Sequence, residues 1–485
     1  MPQIPLGLPS RLPRFGRRWL RLLRPGYYLK RWLLLLLLGM TLNGLGLALL
    51  ISDSYLSGQL PAFVRILALS FLPDWLRASL LLIIGLGLVG MGVWKLNASV
   101  VTAFFPPSAV PNNIQMMEQI IKRRSRRMGP KVVTIGGGTG MPTLLRGLRE
   151  HTDNITAIVT VADDGGSSGR LRRGMGMLPP GDFRNNIAAL SDSEELMTHL
   201  LQYRFGSKQP DSSHDGEDAP QDDLGGHSFG NLLITAMAAI TGSFEQGIAE
   251  SSRVLAVRGR VLPSTLEHVT LCAEVVSMRP DGREEWHYVR GESQIPEAGG
   301  KVMQVRLEPQ EVRAYPEAIR AILAADIIIA GPGSFYTSTL PNLLVPSVRQ
   351  AVAASQATRI FVCNVANQPG ETDDYTVSDY MRQLRRHAGD AIHTVLANSN
   401  YHHAIQPNAD TSWVDLPHIN ERLDYNLFTA DLIDQAHPTH HDPGKLAARI
   451  LEIHETLQSQ PKRYRADQSR AVPLGRVALD PAGTP

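Results

Sequence analysis

The chain has 485 residues, enough for one large domain or two to three ordinary ones, and a formal net charge of only +2. That near-balance, with no interleaving of aromatics among Lys and Arg in the central region, excludes nucleic-acid binding as its main activity. Two cysteines, Cys272 and Cys363, sit far apart in apolar runs, which excludes a disulfide framework or a cysteine-based zinc site.

Residues 1–31 are basic, with Arg11, Arg14, Arg17, Arg18, Arg21, Arg24, Lys30 and Arg31. Two uncharged apolar runs follow, at about 32–52 and 78–94. A bilayer core takes about 20 apolar residues, so both are read as transmembrane helices. A secretory signal peptide is the competing reading for the first run, but no small-residue cleavage site follows it. A basic linker, 95–128, comes next and contains Lys122, Arg123, Arg124, Arg126 and Arg127. The loop between the runs carries only Arg65 and Arg77 as positive charges. The positive-inside rule then predicts a multi-pass cytoplasmic-membrane protein with both termini and the following domain in the cytoplasm.

Residues 129–460 read as one domain. Short β-branched or apolar strands are expected at 132–135, 157–161, 327–330, 359–365 and 394–396, mostly separated by helical stretches. That alternation predicts an α/β, Rossmann-like parallel sheet with helices on both faces. The runs 254–261, 269–276 and 302–307 alternate like antiparallel strands and predict a smaller β-containing subregion. The acidic stretch 207–223 and the tail 461–485 are expected to be disordered.

Glycine-rich loops close several strands. Gly136-Gly137-Gly138-Thr139-Gly140 links the first strand to a helix opened by Pro142, a geometry that suits an anion. It is no Walker loop, and Met141 stands where the dinucleotide fingerprint needs Gly or Ala. The second loop is Asp163-Asp164-Gly165-Gly166-Ser167-Ser168-Gly169-Arg170. Asp163 and Asp164 suit a ribose or Mg²⁺, Ser167, Ser168 and Gly169 suit phosphate oxygens, and Arg170 suits a bidentate phosphate pair. An Asx-type turn without ligand is the plainer alternative. Asp182 and Asn185 open a further helix, where capping alone would account for Asp182. His227 and Asn231 precede an apolar helix, and Gly331, Gly333 and Ser334 end the third main strand. Phe335 and Tyr336 are expected to stack on a base or sugar. His437, His440 and His441 form a cluster, but Asp442-Pro443 reads as a helix start, which favours a structural role over a metal site.

Taken in order, the motifs at 136–140, 163–171, 179–185, 227–231 and 331–334 resemble the gluconeogenesis factor family, within the 2-phospholactate transferase superfamily. The resemblance covers about residues 129–457. It implies a Rossmann-like fold and a UDP-sugar ligand such as UDP-N-acetylglucosamine. It also implies a role in partitioning carbon between gluconeogenesis and cell-wall synthesis, with an effect on cell shape. The transferase branch adds Mg²⁺-dependent attack on a nucleotide diphosphate. Two functions stand side by side: a UDP-sugar-binding regulator that needs no cofactor beyond Mg²⁺ accompanying the diphosphate, and a transferase. For the transferase, Asp163, Asp182 and His227 are the candidate acid–base residues. A nicotinamide oxidoreductase is disfavoured by the failed fingerprint. The expected partners are the UDP-sugar and, through the two helices, the membrane; no nucleic acid is expected, and a homodimer is allowed.

Overall fold

The computed structural model describes residues 29–51, 73–104, 125–192, 194–206, 224–279, 281–401, 412–418 and 420–459. The acidic stretch 207–223, the tail 461–485 and the basic residues 122–124 lie outside the described residues. The chain divides into two units, Met1–Gln119 and Ile120–Pro485.

The first unit contains helices α1 (Leu29–Ile51) and α2 (Asp74–Phe104), each covering one of the apolar runs. Among the described residues, one helical segment, Ser79–Leu96, is long and apolar enough to cross a membrane; the apolar stretch of α1, Leu33–Leu45, is shorter. The helices approach closely through small residues. A Cβ at Gly39 would come within 2.9 Å of the Gly85 carbonyl oxygen, and one at Gly85 would meet the Asn43 side chain at 2.5 Å. Small residues of this kind let two helix backbones approach closely. Leu34, Leu37, Ile83, Leu86 and Trp94 remain exposed on the outside of the pair.

The second unit is built on a seven-stranded parallel sheet. Its strands are β1 (Val132–Gly136), β2 (Ile155–Val159), β3 (Arg260–Pro263), β7 (Ile327–Ala330), β8 (Thr358–Val362), β9 (Thr394–Asn398) and β10 (Asn426–Ala430), in the order β10-β9-β8-β7-β1-β2-β3. The central strands VVTIG and IIIA are wholly buried, as strands covered on both faces must be. From β1 the chain winds outward through β2 to β3, whereas from β7 it winds the other way through β8 and β9 to β10. The sheet therefore has its switch point between β1 and β7, where open α/β sheets form their ligand crevice.

A three-stranded antiparallel sheet, β5-β4-β6, is inserted between β3 and β7, with β4 Thr270–Met278, β5 Glu284–Arg290 and β6 Lys301–Glu308. Two expected antiparallel runs, 269–276 and 302–307, are borne out. The third, 254–261, is not: a helix, Phe244–Val254, occupies its start, and Arg260–Pro263 pairs in parallel with β2. The alternation there is the helix end plus one edge strand. At the other end of the chain, helix α12 (Pro443–Ser459) packs on α3 (Gly140–Leu148). A Cβ at Gly147 would overlap the Pro443 carbonyl oxygen and meet Ala447 at 2.8 Å.

Candidate functional site

Three glycine-rich loops meet at the switch point. The loop after β1 leans on the loop after β7, so that a Cβ at Gly140 would lie 2.7 Å from Gly333 N. Only a residue without a side chain permits that approach. On its other flank, Gly137 abuts the Asp182 carboxylate, which also accepts a hydrogen bond from the Gly138 backbone. Asp182 lies in the first turn of α5 (Gly181–Leu190), and the backbone at Gly181 in turn packs against Ser168 and Asp163. The loops at 136–140, 163–170 and 331–334 thus come together at the carboxyl ends of β1, β2 and β7.

The carboxylates divide by role. Asp163 Oδ1 accepts from Gly165 N at 2.9 Å. Burial raises the Asp163 pKa, against the pull of the Gly165 N–H and Ser168. Asp182 is pushed up to about 6, first by burial and then by the charge of Asp163. Asp164 turns away: its Oδ1 accepts from Ser293 N at 3.0 Å, anchoring the segment that leaves the small sheet. The pair that converges is therefore Asp163 with Asp182, whereas Asp163 with Asp164 was expected.

Ser167, His227 and Asn231 form a closed brace. Asn231 Nδ2 donates to Ser167 Oγ at 3.0 Å, which leaves the serine hydroxyl to donate to His227 Nδ1, also at 3.0 Å. Burial lowers the His227 pKa, with Arg170 and Arg204 acting in the same direction. Arg184 ties this brace to α5, donating to Ser228 Oγ at 2.6 Å, Asn231 Oδ1 at 3.2 Å and Asn185 Oδ1 at 3.0 Å. Arg170, expected on a phosphate, donates to the Gly225 carbonyl at 2.9 Å.

Phe335 and Tyr336 correct the sequence reading. Both are fully buried, in edge-to-face contact with each other, and Phe335 also packs against Phe361 and Tyr380. Tyr336 Oη shares a 2.8 Å hydrogen bond with Tyr375 Oη. They form the aromatic floor under the β7 loop and cannot stack on a ligand. His441 is likewise structural, with Nε2 3.2 Å from the Cys363 carbonyl oxygen and a pKa lowered to about 4 by burial. Asp442 caps α12 through Lys445 N at 2.8 Å, as expected.

Other groups went unrecognised in the sequence. Glu292, just beyond β5, is pushed up to about 8 by burial and then by Asp163, Asp182, Asp164 and Glu371. Glu371, 2% exposed, is pushed up to about 7 by burial and accepts from Thr337 Oγ1 and Gln368 Nε2. Gln368 Oε1 accepts from Ser334 Oγ at 2.6 Å, and Asn364 clasps both N–H and C=O of Gly333. The loop after β8 thus holds the loop after β7. The only sequence signal was the turn chemistry of residues 367–370, which does not mark Glu371.

Among the described residues, no group of three or more His, Cys, Asp or Glu side chains is arranged as a metal site. Two convergent carboxylates fit a Mg²⁺ ion that takes its remaining ligands from phosphate and water. Asp163 and Asp182 would hold it, and it would supply positive charge between the two acids.

A doubly wound parallel sheet with glycine-rich loops and converging acids at its switch point defines a Rossmann-like α/β protein. Residues 132–456 match the family model described as 2-phospho-L-lactate transferase CofD, and the chain belongs to that family. A relative from Nostoc sp. of the gluconeogenesis factor group is 46% identical over 384 residues, 79% of this chain and 78% of the relative. The "Gluconeogenesis factor" of Bacillus subtilis is 49% identical over 271 residues, 56% of this chain and 79% of the relative. A crystal structure of a Bacillus halodurans protein aligns with a TM-score of 0.57 at 39% identity, covering 67% of this chain and 99% of that one.

Proposed function

We propose that the crevice between β1 and β7 binds a nucleotide diphosphate sugar of the UDP-N-acetylglucosamine type. The bound form would regulate the partition of carbon between gluconeogenesis and cell-wall synthesis, and so cell shape. The observation that supports this most is the meeting of three glycine-rich loops around Asp163 and Asp182. Backbone N–H groups at the loop after β1 and the start of α3 suit the diphosphate. Asp163 accepts hydroxyl hydrogen bonds or, with Asp182, shares a Mg²⁺ ion that screens the phosphates. The chain acts at the cytoplasmic membrane, tethered by α1 and α2, with the α/β unit in the cytoplasm.

Calorimetry on the full chain in detergent micelles, titrated with UDP-N-acetylglucosamine with and without Mg²⁺, tests the ligand. Saturable binding is expected, and no binding under either condition discards the assignment. Asp163→Asn should weaken binding about 10- to 150-fold, the equivalent of one charged hydrogen bond of roughly 1.5–3 kcal/mol.

The family's transferase description and the raised acids favour a second reading. Asp182 and Glu292 ionise close to neutrality, as proton-transferring groups do. Steady release of UMP or UDP during the titration would promote a transferase that moves a phosphorus-linked group.

A further inference from the structure

The small antiparallel sheet has an open edge. β5 pairs with β4 on one side, and among the described residues no strand or bridge runs along its other side. In an antiparallel ladder, successive residues turn their backbone N–H and C=O groups to alternate sides. Gly291 N donates to Leu271 O at 2.8 Å and Arg279 N to Arg283 O at 2.9 Å, which sets the phase. Glu285, His287 and Val289 therefore bond to β4. Glu284, Trp286, Tyr288 and Arg290 turn their backbone groups outward and project their side chains from a single face. That face is open, with Trp286 57% and Tyr288 49% exposed. β5 carries no proline, no lysine and no bulge against β4, three devices that many free edges use to prevent pairing.

We propose that β5 pairs antiparallel with β5 of a second copy of this chain, about a two-fold axis at His287. In that register Glu284 of each copy faces Arg290 of the other, and Trp286 faces Tyr288. All four are outward-bonding residues, so each facing pair exchanges two backbone hydrogen bonds. Sliding by two residues one way sets Trp286 against itself and Glu284 against Tyr288. Sliding the other way sets Tyr288 against itself and Arg290 against Trp286. Only the His287-centred register opposes unlike charges. Arg290 is already fixed on this face by Glu308, 3.1 Å from its Nε. The contact is isologous and closed, and it joins the two three-stranded sheets into one. It does not depend on which ligand the crevice takes.

The test uses the full chain in detergent micelles. At the axis, the two positions 287 form a non-hydrogen-bonded pair with Cα atoms about 4.5 Å apart, within disulfide reach. His287→Cys should oxidise to a covalent dimer on a non-reducing gel, without interference from the buried Cys272 and Cys363. Glu285→Cys should not, because the two positions 285 lie roughly 13 Å apart along the strands. In sedimentation, Glu284→Arg alone and Arg290→Glu alone should each weaken the dimer at least tenfold. Mixing the two variants should restore it, since each then faces an opposite charge. A monomeric wild type overturns the proposal. So does a dimer that fails to cross-link at 287, one that cross-links as readily at 285, or a mixture that is not rescued.

Discussion

Gly137 and Asp182 touch: a methyl group at position 137 would overlap an Asp182 carboxylate oxygen. The loop after β1 and the acid that opens α5 are therefore a fitted pair. Gly137→Ala is expected to cost about 1–3 kcal/mol through overpacking and to displace Asp182 from the crevice. Thermal unfolding and ligand titration measure the two effects separately, and a variant unchanged in both would show that the pair is loose.

The acids predict how stability depends on pH. Asp182, Glu371 and Glu292 carry folded-state values of about 6, 7 and 8, all raised above the ordinary carboxylate range. In the unfolded chain they ionise near pH 4. Below that pH both states are protonated and the stability they confer is fully present. It is lost as pH rises through 6, 7 and 8, because the unfolded state releases its protons first. The ligand-free protein should therefore melt higher at pH 5 than at pH 8. Glu292→Gln, which cannot ionise, should gain on the order of 5 kcal/mol over wild type at pH 8 and only about 1 kcal/mol at pH 5. Equal melting of the two proteins at pH 8 would mean that Glu292 does not face the other acids.

Asp163 and Asp164 should separate by assay. Asp164 holds Ser293 N, so Asp164→Ala is expected to lower stability by about 1–3 kcal/mol and to leave affinity for the ligand within a few-fold. Asp163→Asn should do the reverse. If Asp164→Ala abolished binding at an unchanged melting temperature, the assignment would have to be exchanged.

The membrane reading predicts opposite signals from topology reporters fused near Gln59 and at the C-terminus. Equal signals would contradict two spans. Gly85→Leu, placed against Asn43, should loosen the helix pair, and site-specific cross-linking between α1 and α2 would report it.

Five of the seven parallel strands were legible in the sequence because buried strands are continuous apolar runs. β10 was not, since the edge strand NLFTA is only half buried; β3, largely buried, was absorbed into the run 254–261 and read as antiparallel. The loops were legible through their glycines, whose spacing reflects close backbone approach. What could not be read was direction. Asp164 turns to Ser293, Arg170 to Gly225, and Phe335 and Tyr336 into the core, and sequence spacing does not encode which way a side chain faces. Glu292 and Glu371 were hidden for another reason. Glu292 meets Asp163, Asp182 and Glu371 only through an inserted sheet and a loop that the linear order leaves far apart.

The contact of Gly147 with Pro443 bears on how the protein is made. A ribosome delivers the loop after β1, and the helix that follows it, some three hundred residues before the segment that covers that helix. Domains assemble from the N-terminus during synthesis, yet one side of this helix stays uncovered until residues 443–459 emerge. A chain truncated before Leu446 would carry every glycine motif and still lack the lid that seats the first of them. Chains truncated before Leu446 should therefore be rapidly degraded and fail to accumulate.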